Sequence, residues 1–259
     1  LQGQTLSFLL KKSSSPLDLS RFLSLALQIA EALKIAHQVI YIKGRYYPIL
    51  HRNLEPSNIF ITLDSTGQEF VKVLDYGMAK LVGYDTPLTR TTGQVLGALS
   101  YTSPEQIQGE KLDHRSDLYS FGILMYQMLT GRIPWDLQRS PLNRNNFRLW
   151  YEVHCSQPPL PFDPALNLPP VLQKIVMACL AKEPGHRPLR VTDIIQVLET
   201  LQRSSPDPQP KVLQNISLAP SWPQNKPIAK IIFPKTISTQ TGKEIGLWMM
   251  LPQSEIQQL

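Results

Sequence analysis

The chain has 259 residues, of which 42% are hydrophobic and 18% are charged, and its formal net charge is +6. This length can bury one large hydrophobic core with a tail, or two small cores. The basic residues form no run of five or more, which favours a slightly basic globular surface over a surface for nucleic acid. No apolar stretch approaches the roughly 18 residues that a membrane-spanning helix needs, so we expect no membrane span.

The two cysteines, Cys155 and Cys179, form no CxxC pair and no His/Cys cluster with the spacing of metal ligands. A zinc site is therefore not expected. Two cysteines in a chain of this length fit a reducing compartment, and we expect a cytoplasmic protein.

Periodic apolar residues predict the first elements in chain order. Residues 22–33 carry apolar side chains at spacings of three and four, which predicts an amphipathic helix capped by Asp18 or Ser20. Three short apolar runs are typical of strands. They lie at residues 49–50, 59–61 and 71–74.

The later part of the chain predicts further helices and a tail. Residues 116–129 are apolar on nearly every face, which predicts a buried central helix that Ser116 caps and Gly131 ends. Two more helices are predicted, at residues 170–180 and 194–201. Residues 204–227 are rich in proline and predict an extended linker. Two apolar segments within residues 228–259 predict a tail with a β-hairpin.

Short motifs in a fixed order carry the main functional signal. Residues 51–58 have the sequence HRNLEPSN, residues 75–77 have DYG, residues 103–105 have SPE, and Asp117 opens the buried helix. In this order they resemble the catalytic loop (HRDLKPxN), the DFG and APE motifs and the helix aspartate of eukaryotic-type serine/threonine protein kinases. Residues 184–188 resemble the late arginine motif of that family. A single short motif recurs by chance, but the ordered set is specific.

The resemblance covers residues 1–203 and implies the C-terminal lobe of the kinase fold. We therefore expect an α+β domain that is mainly α-helical, with a short β element at the active cleft. No glycine-rich phosphate loop and no VAIK lysine precede this region, so the N-terminal lobe is expected to be absent. The resemblance implies that Asp117 holds the catalytic-loop backbone and that Arg187 pairs with Glu105. Residues 39–48 exceed the connection that is usual in the family.

Three positions that form one hydrogen-bonded group in the family carry other residues here. The catalytic base is an aspartate in the family, and Asn53 stands in its place; an amide cannot take up a proton near neutral pH. The position of the family's lysine holds Glu55, which would repel the transferring phosphoryl group. The threonine that ties the two together is replaced by Ala98. The resemblance therefore implies a pseudokinase-like, catalytically inactive loop.

Asn58 and Asp75 match the two magnesium-binding positions of the family. Two interpretations stay open. One is residual binding of Mg²⁺ and ATP; the other is structural, with Asp75 capping a turn and Asn58 bonding the loop backbone. Because most ATP contacts of the family lie in the N-terminal lobe, weak or absent nucleotide binding is expected.

Other positions of the resemblance have structural or regulatory roles in the family. His51 and Tyr76 are expected to pack under the cleft, and Gly77 completes the DYG motif as a structural position. Arg52 is expected either to pair with a phosphate in the activation segment or to hold backbone carbonyls. The candidate phosphorylation sites in that segment are Thr89, Thr91 and Thr92.

Three hypotheses for the function follow. The leading one is a non-catalytic kinase-like module that binds or regulates a protein partner, through residues 134–161 or through the top of the lobe. The alternative is an ATP- and Mg²⁺-dependent serine/threonine protein kinase whose N-terminal lobe is supplied from elsewhere. The third is a gene product without a selected function. The sequence predicts no nucleic-acid partner, and it leaves the oligomeric state open.

Overall fold

The structure of the chain, a computed structural model, describes residues 3–13, 15–42, 45–63, 67–75, 98–137 and 147–204, with four short strands after residue 229. For residues 39–42, 45–48, 98 and those four strands, the description covers the backbone. Its helices are α1 (Leu6–Lys12), α2 (Leu19–His37), α3 (Pro104–Gln108), α4 (His114–Thr130), α5 (Phe147–Cys155), α6 (Pro170–Cys179) and α7 (Val191–Ser204). Its strands are β1 (Gln4–Thr5), β2 (Val39–Ile42), β3 (Arg45–Pro48), β4 (Ile59–Leu63), β5 (Glu69–Val73), β6 (Lys230–Ile232), β7 (Ile237–Ser238), β8 (Glu244–Ile245) and β9 (Trp248–Met250).

The described fold is mainly helical and carries a small three-stranded antiparallel sheet. The helices predicted from apolar periodicity correspond to α2, α4, α6 and α7, and two of the predicted strands correspond to β4 and β5. Helices α1, α3 and α5 have no counterpart in the sequence prediction. Of the helices that the structure describes, none has the length and apolar composition required to cross a membrane.

Helix α4 runs through the centre of the fold, and nearly all of its side chains are buried. It begins after Asp113, whose Oδ1 accepts a hydrogen bond from Arg115 N at 2.8 Å. It ends at Gly131, as predicted, where a φ of 75° closes the last turn. The prediction of Ser116 as the cap is wrong. Ser116 lies inside the first turn, and its hydroxyl donates to Glu105 Oε1 at 2.7 Å.

Helix α2 packs against α4 and against the sheet, whose strand order is β1-β4-β5. Asp18 caps this helix, as predicted, because its Oδ1 accepts from Arg21 N at 2.9 Å. Gln28 bonds the edge of β5, accepting from Val71 N at 3.0 Å and donating to Glu69 O at 3.1 Å. Arg21 adds an ion pair to Glu69 at 2.6 Å. These contacts attach the sheet to the helical body.

An antiparallel pair, β2 with β3, lies between α2 and the segment that carries the first motif. Its register places Val39 opposite Pro48. The predicted strand over residues 49–50 is wrong. Ile49 N donates instead to Ala36 O at 3.0 Å, which returns the chain to the end of α2, and the Ile49 side chain is buried.

Two further antiparallel pairs lie near the C-terminus, β6 with β9 and β7 with β8. Strands β6 and β9 fall within the two apolar segments of the tail. Residues 205–229 and those between the tail strands lie outside the described residues. The proline-rich linker over residues 204–227 and the hairpin tail as a separate unit therefore stay predictions.

Gly122 allows α4 and α6 to approach each other closely. An ideal Cβ at this position would lie 2.7 Å from Cys179 Cβ and 3.2 Å from Leu180 Cδ2. Cys179 is fully buried, so it cannot move aside without disturbing the core. A glycine inside a helix costs about 1 kcal/mol relative to alanine, and close packing is the physical reason to have one here.

We expect Gly122→Ala to lower the free energy of unfolding by about 1–3 kcal/mol, because the added methyl overpacks the contact with Cys179. Helix propensity alone would change the stability in the opposite direction. Gly185→Ala is the matched control, since no atom lies within 4 Å of its ideal Cβ, and its effect is expected to stay within about 0.5 kcal/mol. Urea unfolding followed by circular dichroism measures both variants. A stabilised Gly122→Ala variant would contradict the close approach of α4 and α6.

Candidate functional site

Asp117, in the first turn of α4, holds the backbone of residues 51 and 52. Its Oδ2 accepts a hydrogen bond from His51 N at 2.9 Å, and its Oδ1 accepts one from Arg52 N at 2.8 Å. His37, the last residue of α2, donates Nε2–H to Oδ2 at 2.8 Å. Asp117 is 1% exposed, so water does not compete for these bonds. Arg52 has a φ of 62°, a strained conformation that costs about 1–3 kcal/mol and that Asp117 holds in place.

His51 connects this segment to the end of β5. Its Nε2 donates to Leu74 O at 3.0 Å, and its Nδ1 accepts from Asn53 N at 3.3 Å. Burial lowers the pKa of His51 below its ordinary value and outweighs the opposing effect of the Asp117 carboxylate. The ring is therefore neutral at about pH 7, with its proton on Nε2, and it bonds two backbone segments at once.

The two segments meet where β4 begins and β5 ends. Asn58 Nδ2 donates to Asn53 O at 2.8 Å, and Leu74 N donates to Asn58 O at 2.7 Å. Asp75, the next residue, is exposed and has a φ of 59°. The structure thus brings Asn53, Asn58 and Asp75 to one edge of the sheet. Amide and carboxylate oxygens are hard donors of the kind that Mg²⁺ prefers, so Asn58 and Asp75 fit that ion.

Glu55, in the same loop, lines a groove of about 800 Å³ that extends from α1 to the residues that follow α4. Its side chain is half-buried, and Ser57 Oγ donates to Oε1. Burial raises the pKa of Glu55 above its ordinary value; the Ser57 hydrogen bond opposes this, and the negative charge of Asp75 adds to it. Among the residues that the structure describes, no lysine or arginine forms an ion pair with Glu55.

The turn Ala98–Tyr101 contributes to the same groove and is bonded to α4. Tyr101 Oη donates to Gln127 Oε1 at 2.5 Å, and Ser120 Oγ donates to Tyr101 O at 2.6 Å. Burial raises the pKa of Tyr101 well above its ordinary value, and the Glu55 carboxylate adds to the effect. The phenol therefore stays protonated and remains a donor, which fixes the turn relative to α4.

His154 on α5 fixes the same turn through Leu99. Its Nε2 donates to Leu99 O at 2.8 Å, and its Nδ1 accepts from Tyr119 Oη at 3.0 Å. Burial, together with the positive charge of Lys182, lowers the pKa of His154 to about 3. The ring is neutral, and each nitrogen has the partner that its protonation state requires. No local pattern pointed to this contact, because the partner of His154 is a backbone carbonyl 55 residues away.

Glu105 and Arg187 form a buried ion pair that joins α3 to the turn Pro184–His186. Arg187 Nη1 lies 2.7 Å from Glu105 Oε1, and Nη2 lies 2.8 Å from Oε2. Its guanidinium also donates to three backbone carbonyls, those of Arg115, Ala181 and Lys182. Burial alone would raise the pKa of Glu105, but Arg187 and Ser116 outweigh it and hold the pKa below its ordinary value.

Some positions from the sequence lie outside the described residues, namely Tyr76, Gly77, Thr89, Thr91 and Thr92. Ala98 is described by its backbone. The pairing of Arg52 with a phosphate therefore stays a prediction. Tyr101, Gln127 and His154 shape the site but were missed by the sequence prediction. The place of Tyr101 just before the SPE motif is the one signal that could have pointed to it.

Comparison with known proteins connects this chain to one family. The sequence profile described as the protein kinase domain matches residues 1–199. Serine/threonine-protein kinase A of Synechocystis sp. is 35% identical over 99% of this chain and 54% of its own length. Serine/threonine-protein kinase pkn2 of Myxococcus xanthus is 38% identical over 76% of this chain and 22% of its own length. The chain thus spans about half, or less, of these curated relatives.

We expect Asp117→Asn to lower the free energy of unfolding at neutral pH by about 3 kcal/mol, because a buried carboxylate that accepts hydrogen bonds is lost. Burial alone would raise the pKa of Asp117, but His37, with smaller contributions from His51 and the Arg52 amide, holds it below its ordinary value. Its contribution is therefore fully present above the unfolded pKa of about 4 and is lost as the pH falls below that value.

The difference in unfolding free energy between wild type and Asp117→Asn should accordingly shrink on acidification. Urea unfolding at a series of pH values between about 3 and 7 measures it. Asp163→Asn, at an exposed turn cap where asparagine also caps, is the control and should show a small difference at every pH. A difference for Asp117→Asn that does not change with pH would contradict the depressed pKa.

Proposed function

This chain belongs to the protein kinase family, and we propose that it is a kinase-like module that does not transfer phosphate and acts by binding or regulating a protein partner. The observation that carries the proposal is a catalytic-loop framework that is held in place around exchanged side chains. Asp117 bonds the loop backbone, while Asn53 and Glu55 stand at the base and lysine positions of the family. The loop backbone thus keeps its hydrogen bonds to Asp117, whereas the aspartate and the lysine that the family uses for catalysis are replaced.

Asn53 lacks the carboxylate that accepts the substrate's proton in the family. In the family an aspartate at this position orients the substrate hydroxyl and accepts its proton. The Asn53 amide can hydrogen-bond a hydroxyl but cannot take up its proton near neutral pH. General-base catalysis contributes about 10²–10⁴ in rate, so this exchange alone supports a large loss of activity.

Glu55 places a negative charge where the family has a lysine. Two unit charges 4 Å apart interact by about 4 kcal/mol at an effective dielectric constant of 20, and here the interaction with a phosphoryl group changes from attraction to repulsion. The carboxylate already lies near another anion, Asp75. Ala98 also lacks the hydroxyl that ties the base to the lysine in the family, so the three exchanges act in the same direction.

The proposed partner surface lies in residues 134–161. On α5, Phe147 and Tyr151 are 41% and 42% exposed, with ring centroids 6.4 Å apart. Two neighbouring exposed aromatic rings support an interaction surface at this position, because such surfaces combine exposed apolar side chains. Tyrosine and phenylalanine are also among the residues enriched in protein–protein interfaces. A protein that contacts α5 would also reach the groove that Glu55 lines. It would not need to contact the edge of the sheet where Asn53, Asn58 and Asp75 lie.

The proposed setting is the cytoplasm. Cys155 and Cys179 are both free thiols, and Cys179 is buried in the core. Free cysteines of this kind fit a reducing compartment.

One observation favours a second candidate, an ATP- and Mg²⁺-dependent serine/threonine protein kinase whose N-terminal lobe comes from elsewhere. Asn58 and Asp75 keep the residue types of the magnesium positions, and the bond from Leu74 N to Asn58 O holds them close together. They would hold Mg²⁺, which neutralises charge on the phosphates during transfer. Both relatives carry the name of a serine/threonine-protein kinase, which fits this candidate equally well.

Phosphoryl transfer distinguishes the two candidates. In a two-lobe form of the protein, we expect the natural sequence to transfer phosphate at least about 100-fold more slowly than a variant carrying Asn53→Asp, Glu55→Lys and Ala98→Thr, because the variant regains the base. Incorporation of labelled phosphate into a mixed protein substrate measures both rates. Adding Asp75→Ala to the triple variant is the control and should remove the gain. Equal rates for the natural sequence and the triple variant would refute the proposed inactivity.

ATP with Mg²⁺ is expected to leave the melting temperature of this chain unchanged, because most nucleotide contacts of the family lie in the N-terminal lobe. A ligand present at 100 times its Kd would stabilise the folded state by about 2.7 kcal/mol, so the experiment is sensitive. Differential scanning fluorimetry with ATP, with and without Mg²⁺, measures the shift. A saturable rise that needs Mg²⁺ and disappears in Asp75→Ala but not in Asp163→Ala would favour the second candidate.

A further inference from the structure

His37, the last residue of α2, has one ring nitrogen that the fold leaves without a partner. Its Nε2 donates to Asp117 Oδ2 at 2.8 Å. Its Nδ1 is buried and makes no hydrogen bond, and the side chain is 8% exposed. In a neutral imidazole, the nitrogen that carries no proton presents a lone pair. Buried polar atoms nearly always have a partner, so this lone pair points to a group that the chain itself does not supply.

The ring of His114, the first residue of α4, lies next to the ring of His37. The two ring centroids are 5.7 Å apart, and the ring planes make an angle of 60°. His114 Nε2 donates to Leu189 O at 2.8 Å, so the lone pair of this ring is also on Nδ1. Both imidazoles therefore have the Nε2 proton bonded to an oxygen and a lone pair left on Nδ1.

This arrangement is typical of histidines that bind a metal. Such a histidine almost always donates its other ring N–H to a carboxylate or a backbone carbonyl, which fixes the tautomer and the ring orientation. Asp117 and Leu189 O supply one of each. Zn–N bonds of about 2.0–2.1 Å put the ring centroids of two histidines on one tetrahedral ion about 5 Å apart, so a small movement closes the pair around an ion. Among the residues that the structure describes, no group of three or more potential ligands is present, so water molecules would complete the coordination.

The electrostatic surroundings of the two rings favour a cation. His37 ends α2, and the C-terminal end of a helix attracts positive charge. The Asp117 carboxylate is 1% exposed, and in the described part of the chain no lysine or arginine forms an ion pair with it. A cation on His37 would therefore supply the positive charge that this carboxylate lacks. His114 is only half-buried, which gives an ion a path from solvent.

We propose that His37 and His114 bind one divalent transition-metal ion, of the class of Zn²⁺, through their Nδ1 atoms. Imidazole nitrogen suits Zn²⁺, Ni²⁺ and Cu²⁺, whereas Mg²⁺ prefers oxygen, so this site is distinct from the magnesium positions of the family. The ion would join α2 to α4 and, through His37, strengthen the hold of Asp117 on the loop backbone. The inference goes beyond the proposed function, because it needs neither a nucleotide nor a partner protein. The two histidines are far apart in the chain, which is why the sequence analysis expected no zinc site.

Nitrogen NMR of the natural full chain tests the site directly. The chain has five histidines, and long-range proton–nitrogen correlation spectra with and without ZnCl₂ show which ring nitrogens bind the ion. We expect the Nδ1 signals of His37 and His114 to shift with Zn²⁺ and to stay in place with Mg²⁺. Signals that do not move overturn the inference. A shift confined to the exposed His186 also overturns it and identifies an adventitious ion only.

Substitutions test the same pair by affinity. His37→Gln and His114→Gln each keep an amide N–H near the position of the Nε2 donor but lack the imidazole lone pair. In calorimetric titrations with ZnCl₂, we expect each variant to bind at least about tenfold more weakly than the natural chain. His186→Gln is the matched control and should change the affinity by less than about twofold. An unchanged affinity in His37→Gln or His114→Gln contradicts the site, and if a glutamine variant does not fold, the nitrogen spectra of the natural chain decide.

Discussion

The site depends on one buried carboxylate. Asp117 accepts hydrogen bonds from the backbone of His51 and Arg52 and from the ring of His37. A buried charge without such partners would cost several kcal/mol, so the central helix and the loop each require the other. Because α4 is enclosed by the rest of the core, the loop takes its rigidity from the most buried element of the described fold.

The side chains that hold the loop differ from those that the family uses for chemistry. His51 bonds the backbone, and Glu105 and Arg187 satisfy each other; none of these contacts needs a substrate. Asn53 belongs to the same loop and takes part in the framework through its backbone N–H and carbonyl. The Glu55 side chain accepts a hydrogen bond from Ser57, two residues away in the same loop. Exchanging them therefore changes the charge of the surface while leaving its shape in place. The proposed function uses these exchanges for recognition of a partner instead of catalysis.

The sequence analysis was correct for elements that are determined by residues close together in the chain. The apolar spacing of residues 22–33 gave α2, and Gly131 gave the end of α4, because periodicity and a left-handed turn are visible in a short window. The predicted start of α4 was wrong. Serine is a common helix cap, but the Ser116 hydroxyl donates a hydrogen bond to Glu105 of α3 instead. The contact of His154 with Leu99 O was missed for the same kind of reason. Neither partner carries a motif, and only the packing of α5 brings them together.

The hairpin of β2 and β3 has a further consequence for how this chain tolerates insertions. His37 Nε2 and His51 N both donate to Asp117 Oδ2, so the residues between them form a loop that is closed at its base by a single oxygen atom. The entropy of closing a loop grows slowly, by about 0.6 kcal/mol for each doubling of its length. A longer connection between β2 and β3 would therefore cost little, while the buried Ile49 and Leu50 keep the base of the loop attached to the core.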